Sequence, residues 1–260
     1  MNSNNNWYYQ WSTFSTDDEL TGYGSMLFKE WIYPCKIEEF HGKSVLDCGC
    51  GRGWHMKLVL PYIKNGVGVD LNTSEIAKEY TGDAKLRFIE GDISKISMDE
   101  KFDIVYSVGV LHHTDNPDES FENIKKHLKP GGKMIVWVYS YEGNFLNRTL
   151  LEPMNRLVFN RLNRKIVVFL SMLITALLYL PIYTLYLLPF RFLPFFEYFE
   201  NFRRLSYKRN MLNVFDKMNA PQTHFIRKET IEKWFNSNEF SEVYMDMWKG
   251  VSWRASGTKK

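Results

Sequence analysis

From Lys43 to Tyr139 the chain alternates short apolar runs with longer segments that mix apolar and polar residues at helical spacing. Five of the runs read as strands: Ser44–Cys48, Val67–Asp70, Leu86–Glu90, Phe102–Val108 and Met134–Tyr139. Trp54 to Asn65 has the period of a helix. So does the segment opened by Thr73-Ser74-Glu75, a good N-terminal sequence, and running to Tyr80. Asp118 to Leu128 is a third helix, stopped by the breaker Pro130-Gly131-Gly132. Near the end, Lys228–Asn236 reads as a helix, and Glu242–Trp248 and Val251–Arg254 as two strands around Lys249-Gly250. Strict alternation of strand and helix, with strands apolar on both faces, predicts an α/β fold with an open, mostly parallel sheet covered on each side.

The stretch from Phe145 to about Asp216 breaks this rhythm, and between Ile166 and Phe190 no residue is charged. That meets the crude length test for a membrane span. A complete crossing would separate the elements after Lys228 from the sheet they are expected to rejoin, and Pro181 divides the run. The segment therefore reads as a helical cap over the acceptor site. The alternative is a monotopic surface touching a membrane through residues 166–196, edged by Arg161, Arg164, Lys165 and Arg191. This organises the chain into a lead-in or lid (1–42), a core (43–144 and 216–260) and an apolar helical insertion (145–215). Trp7, Tyr8, Trp11 and Phe14 are candidates for a lid over the site.

Composition narrows the classes. With 260 residues, 45% hydrophobic and 24% charged, the chain is neither disordered nor fibrous. A net charge of +3 is too weak to argue for nucleic acid by itself. Three cysteines do not make a disulfide framework and fit a reducing, cytoplasmic setting, and the start Met1–Asn6 lacks the pattern of a signal peptide. Aromatic residues make up 16%, many of them in the insertion.

The chemistry centres on Gly49-Cys50-Gly51-Arg52-Gly53, between the first strand and the first helix. Glycines there allow a tight turn and close approach of backbone to a ligand. Trp54 stands where a dinucleotide fingerprint needs its third glycine, so a pyrophosphate site is not expected. Asp47, Asp70 and Asp92 end successive strands and face one crevice. Asp70 lies at the spacing at which an acid takes ribose hydroxyls. Asp92 is placed to accept from an exocyclic amine.

These motifs, with Gly91-Asp92-Ile93, Phe102–Val105 and Leu128-Lys129-Pro130-Gly131-Gly132, resemble those of class I S-adenosylmethionine-dependent methyltransferases, most of all the ubiquinone/menaquinone-type small-molecule group. The resemblance covers residues 43–139, and more loosely 225–256. It implies a Rossmann-like, doubly wound sheet of seven strands and S-adenosylmethionine as cofactor. It also implies that Asp47 with Gly49, Gly51 and Gly53 holds the methionine moiety and that Asp70 and Leu71 hold the ribose. Asp92 and Ile93 would hold the adenine, and Ser107 would lie near the amino-acid end.

Methyl transfer needs a base only when the acceptor carries its proton at neutral pH. His112 and His113, just past the fourth strand, are the candidates, with His112 slightly ahead; an alternative is that one of the pair only ties the loop to the backbone. Ser107-Val108-Gly109-Val110 replaces the Asp/Asn-Pro-Pro-aromatic turn of enzymes that methylate amines of DNA bases. A small-molecule acceptor and no nucleic acid are expected on that ground. Arg148, Arg203, Arg204 and Arg254 are candidates to meet an anionic acceptor. Cys48 and Cys50 read as packing residues, and no metal is expected. The leading expectation is an O-methyltransferase of a surface-saccharide or capsule precursor. A methyltransferase of a quinone or other lipid, and a non-catalytic donor-binding subunit that tethers a partner to a membrane, are the alternatives.

Overall fold

The computed structural model describes residues 3–14 and 23–260, so residues 1–2 and 15–22 of the expected lead-in lie outside the described residues. Two helices, α1 (Ser3–Thr13) and α2 (Tyr23–Trp31), precede strand β1 (Ser44–Cys48). Then follow α3 (Trp54–Val59), β2 (Asn65–Asp70), α4 (Ser74–Thr81), β3 (Leu86–Glu90), β4 (Phe102–Val108), α5 (Pro117–Lys125) and β5 (Leu128–Tyr139). A helical region holds α6 (Glu152–Leu157), α7 (Arg164–Ile182), α8 (Phe196–Arg203) and α9 (Tyr207–Asn219). The chain closes with α10 (Lys228–Trp234), β6 (Phe240–Trp248) and β7 (Ser252–Lys259).

The strands form one seven-stranded sheet in the order β3-β2-β1-β4-β5-β7-β6. The first five are parallel; β7 runs antiparallel to both β5 and β6. This is the Rossmann-like, doubly wound sheet expected from the sequence. β1 is buried at every position, as a central strand covered on two faces must be. One core layer joins α2 and α3 to the sheet through Phe28, Trp31, Trp54 and Met56. The other joins α5 and α10 through Phe121 and Trp234, whose rings stack 4.9 Å apart. Strand order reverses between β1 and β4, and a crevice opens beyond their carboxyl ends.

Several boundaries differ from the sequence expectation. The helix expected to reach Asn65 stops at Val59, because Pro61 follows and Asn65 already pairs in β2. The third helix ends at Lys125, not Leu128, and starts one residue early at Pro117. Asn116 caps it, its side chain accepting from the N–H groups of Asp118 and Glu119. Pro130-Gly131-Gly132 is a breaker of helix but not of strand. β5 begins at Leu128, opposite Phe102, and after a register shift Lys133 pairs with Ile104. The extra residues bulge out, with Gly131 at φ 73°, and the ladder resumes. The Lys249-Gly250 turn holds both residues at positive φ, and the Val251 N–H closes it by donating to the Trp248 carbonyl at 3.1 Å.

Candidate functional site

A cavity of about 790 Å³ lies at the crevice, floored by the ends of β1, β2, β3 and β4 and roofed by α1, α7, α8 and α9. The floor begins at the glycine turn. Gly49 has φ +90°, and a Cβ there would stand 2.3 Å from the side chain of Val110. Gly51, at φ +52°, has the Trp11 ring over it, 2.8 Å from where a Cβ would be. Only glycine lets α1 lie this close to the turn.

Asp70 ends β2 and braces this turn: its carboxylate accepts the Gly51 N–H at 2.9 Å. Thr73, expected to cap α4, does not do so; its hydroxyl donates instead to the Gly51 carbonyl at 2.6 Å. The turn is thus held from both sides by the segment after β2. Burial raises the Asp70 pKa from its ordinary value, against the backbone N–H groups that favour its charge. Asp47 is wholly buried beneath the turn. One of its oxygens accepts the Tyr106 hydroxyl at 3.0 Å, while the other has no partner. Burial pushes its pKa well up, and the Asp70 charge adds to the shift. Asp92, half-exposed at the end of β3, accepts from Ser94 N–H and Oγ, and burial is outweighed by these bonds and by Lys95, so its pKa is lowered.

Among the residues singled out from sequence, Gly49, Asp70, Leu71, Asp92, Ile93 and His113 line the cavity. Asp47, Gly51, Gly53, Ser107 and His112 stand behind it. Ser107 is fully buried and donates to the Cys48 carbonyl at 2.9 Å, tying β4 to β1. The two histidines separate. His112 is fully buried, packs against Tyr139 with ring centroids 4.2 Å apart and planes tilted by 36°, and neither ring nitrogen has a partner. Its backbone carbonyl accepts from His224 N–H. Burial, helped by His113, holds its pKa well below 6.5. His113 faces the cavity beside the Trp7 ring, 4.9 Å away. Its Nδ1 lies 2.9 Å from the Gln222 carbonyl, so that nitrogen carries the proton and Nε2 keeps its lone pair. Burial lowers its pKa as well, opposed by Asp216. Of the two candidate histidines, His113 faces the cavity and His112, placed slightly ahead in the sequence reading, does not.

The four arginines proposed for an anionic acceptor are not in the cavity lining. Arg254 forks onto Asp246, Arg204 reaches Glu30, Arg203 bonds the Tyr186 carbonyl, and Arg148 lies 3.5 Å over the Tyr141 ring. The cations that do line it are Arg209 and Lys217, both from α9. The Lys217 ammonium donates to Tyr198 at 2.9 Å; burial disfavours its charge, but Tyr139, Tyr198 and Asp216 outweigh that and raise its pKa. Asp216 in turn accepts from Gln10 at 2.9 Å. His55 is a further lining residue that sequence reasoning missed. It is buried between Phe28 and Trp54, and burial with nearby Arg209 lowers its pKa to about 3. The signal for Lys217 was present, as a lysine on the buried face of an amphipathic helix; for His55 there was none. Among the described residues no three His, Cys, Asp or Glu side chains converge as a metal site would require.

Residues 46–136 match the family model described as "Methyltransferase domain". A tRNA U34 carboxymethyltransferase of Pseudoalteromonas atlantica is 30% identical over 114 residues, 42% of this chain and 35% of that protein. The enzyme of the same name from Aeromonas salmonicida is 32% identical over 151 residues, 53% of this chain and 46% of that protein. The chain thus spans less than half the length of these relatives. Among solved structures, an N-methyltransferase (NodS) of Bradyrhizobium japonicum, in complex with S-adenosylhomocysteine, matches all of this chain and 99% of its own at a TM-score of 0.57 and 10% identity. A Pyrococcus horikoshii protein matches 97% and 98% at 0.57 and 18% identity.

These relatives overturn the expectation of a small-molecule acceptor without nucleic acid, and with it the saccharide, lipid and non-catalytic alternatives. The missing Asp/Asn-Pro-Pro-aromatic turn speaks only about base amines. The acceptor named in those relatives is a uridine, which has no exocyclic amine, so that absence could not exclude it. The fold, the glycine turn with its flanking acids and the matched model agree: residues 46–136 form a methyltransferase domain on the class I, S-adenosylmethionine-dependent fold.

Proposed function

We propose that this protein is a cytoplasmic S-adenosylmethionine-dependent transferase that modifies a uridine of tRNA. The observation that carries the reading is the likeness, at about 30% identity across the domain, to enzymes named for tRNA U34. The cavity is consistent with it. Its acceptor end is lined by aromatic rings from Trp137, Tyr139 and Tyr198 beside two cations, a setting in which an extruded base can stack and meet charge.

The donor end fits the cofactor through an unpartnered buried oxygen on Asp47, the left-handed glycines and the two lining acids. In this reading Asp70 and Leu71 hold the ribose hydroxyls, Asp92 and Ile93 the adenine, and the glycine turn, backed by Asp47, the methionine moiety. Ser107 holds the β1–β4 seam rigid behind them. S-adenosylmethionine, when bound, supplies an alkyl group on a positively charged sulfur, which an acceptor lone pair displaces as a neutral thioether. The chain's own part is alignment of the acceptor, which can supply about 7–11 kcal/mol of the barrier reduction. His113 Nε2 takes the proton that the acceptor loses. His112 packs against Tyr139 and fixes the wall on which the acceptor rests.

The test uses purified protein, S-adenosylmethionine labelled on the methyl group, and tRNA extracted from cells lacking the gene. Label recovered in a modified uridine after nuclease digestion is the expected result. Label absent from RNA, with S-adenosylhomocysteine formed in the presence of a protein-free small-molecule extract, overturns it.

A further inference from the structure

The outer face of α7 is more apolar than its inner face. Its buried side presents Val167, Ser171, Thr175 and Ile182, and the two hydroxyls turn back onto the Val167 and Ser171 carbonyls at 2.6 Å each. These small residues let α7 lie close to α9, where Ser171 meets Met218. The opposite stripe is exposed: Ile166, Phe169, Leu173, Leu177 and Leu180 follow one another at spacings of three and four along one side. Leu177 is 63% exposed and Leu180 71%. The loop after the helix continues the surface through Leu187, Leu188, Phe190 and Phe192, the last 81% exposed. A helix of a water-soluble core has the reverse polarity, and a continuous apolar surface of this kind must meet something other than water.

Charge says what. Residues 153–196 contain five basic residues and no acidic one. Arg161 and Lys165 at one end of the stripe and Arg191 beyond the other are exposed, and none of the three enters an ion pair among the described residues. An apolar face whose own segment, residues 153–196, carries only basic charge complements the headgroup layer of an anionic bilayer, where arginine and lysine reach phosphate while the apolar side chains enter the acyl boundary. Two copies of this chain meeting through the same face would oppose like charges. A full crossing does not suit α7 either, because its inner face is packed on α9 and lines the cavity through Ile174 and Leu178.

We propose that α7 and the 183–192 loop form a monotopic docking surface for an anionic membrane, on which the enzyme rests with its cavity on the protein side of the helix. The inference is independent of the tRNA reading, since no residue of the exposed stripe lines the cavity.

The experiment is sedimentation of the full chain with vesicles of phosphatidylcholine alone and of phosphatidylcholine with phosphatidylglycerol. The protein is expected in the pellet with the anionic vesicles, less with the neutral ones, and to be released by salt. Two variants locate the surface: Phe169→Asp with Leu177→Asp for the apolar stripe, and Arg161→Glu with Lys165→Glu for the rim. Each should lower partitioning about tenfold or more while calorimetry shows unchanged donor affinity. Because the rim pair is at the surface, it decides even if the stripe pair fails to fold. Wild-type protein that stays in the supernatant with anionic vesicles at low salt overturns the proposal. So does a dimer in solution, seen by analytical ultracentrifugation, that the stripe variant converts to monomer, since the face would then be covered by a second copy.

Discussion

His113 and His112 are neighbours in sequence with different physical situations, and their variants separate them. Removing a general base costs about 10²–10⁴ in rate, so His113→Ala should lower kcat in that range while leaving donor affinity intact. In wild type, kcat/KM should fall as pH drops through the His113 pKa, which burial places below the ordinary 6.5, and the variant should lack that limb. His112→Ala should leave kcat within a few-fold of wild type and lower stability, because it empties a packed site beneath Tyr139. A pH profile unchanged in His113→Ala would remove it as the base. His55 gives a prediction about folding. Its folded pKa is about 3 against an unfolded value of 6.5, so the unfolded chain takes up a proton first as pH falls. The associated stability is present above pH 6.5 and is lost as pH falls toward 3, at about 1.4 kcal/mol per unit. Asp47 and Asp70, with raised pKa values, act in the opposite sense, so the measurement is a difference between wild type and His55→Phe. Urea midpoints of the variant should depend less on pH between 6.5 and 5; parallel curves would refute the assignment.

At the scale of elements, α1 acts as a clasp between the glycine turn and α9. Trp11 lies over Gly51, Gln10 donates to Asp216, and Asn6 and Asn219 exchange amide hydrogen bonds with each other's backbone carbonyls at 3.0 and 2.9 Å. Asn219→Ala removes its side of that exchange and leaves buried groups of α1 unpaired, which costs about 1–3 kcal/mol. A loss of about 2–12 °C in Tm is expected for a chain of this size, together with faster donor dissociation in stopped-flow tryptophan fluorescence. An unchanged dissociation rate would show that α1 only packs. The strands tell how much of this was legible. β1, β3 and β4 have the bounds their apolar runs predicted. β5 does not, because Pro130 and two glycines end a helix by their backbone limits, whereas a strand can absorb them in a bulge opposite Phe102.

For the whole molecule, a net charge of +3 spread over 260 residues does not say where the cations lie. On the proposed tRNA reading, affinity for tRNA should fall linearly in log–log terms as salt rises, with a slope set by the number of phosphates met. Binding insensitive to salt would argue against a polyanionic acceptor. The apolar insertion illustrates the same point, since its hydrophobicity was plain but not its direction.

What the sequence by itself determined is everything that depends on local chemistry and short period. That includes the alternation that makes the sheet, the glycine turn that follows β1, and the acids that end β1, β2 and β3 and so arrive together in any parallel sheet. The tertiary structure decided what depends on contacts between distant segments. It turned His113 into the cavity and His112 into the core, brought Gln10 to Asp216 and Lys217 to Tyr198 across the crevice, and set Ser171 and Thr175 inward on α7 with Leu177 and Leu180 outward. A helix's period says that it has two faces. Which one is covered is settled only by what packs against it, here the small, close surface that α9 accepts.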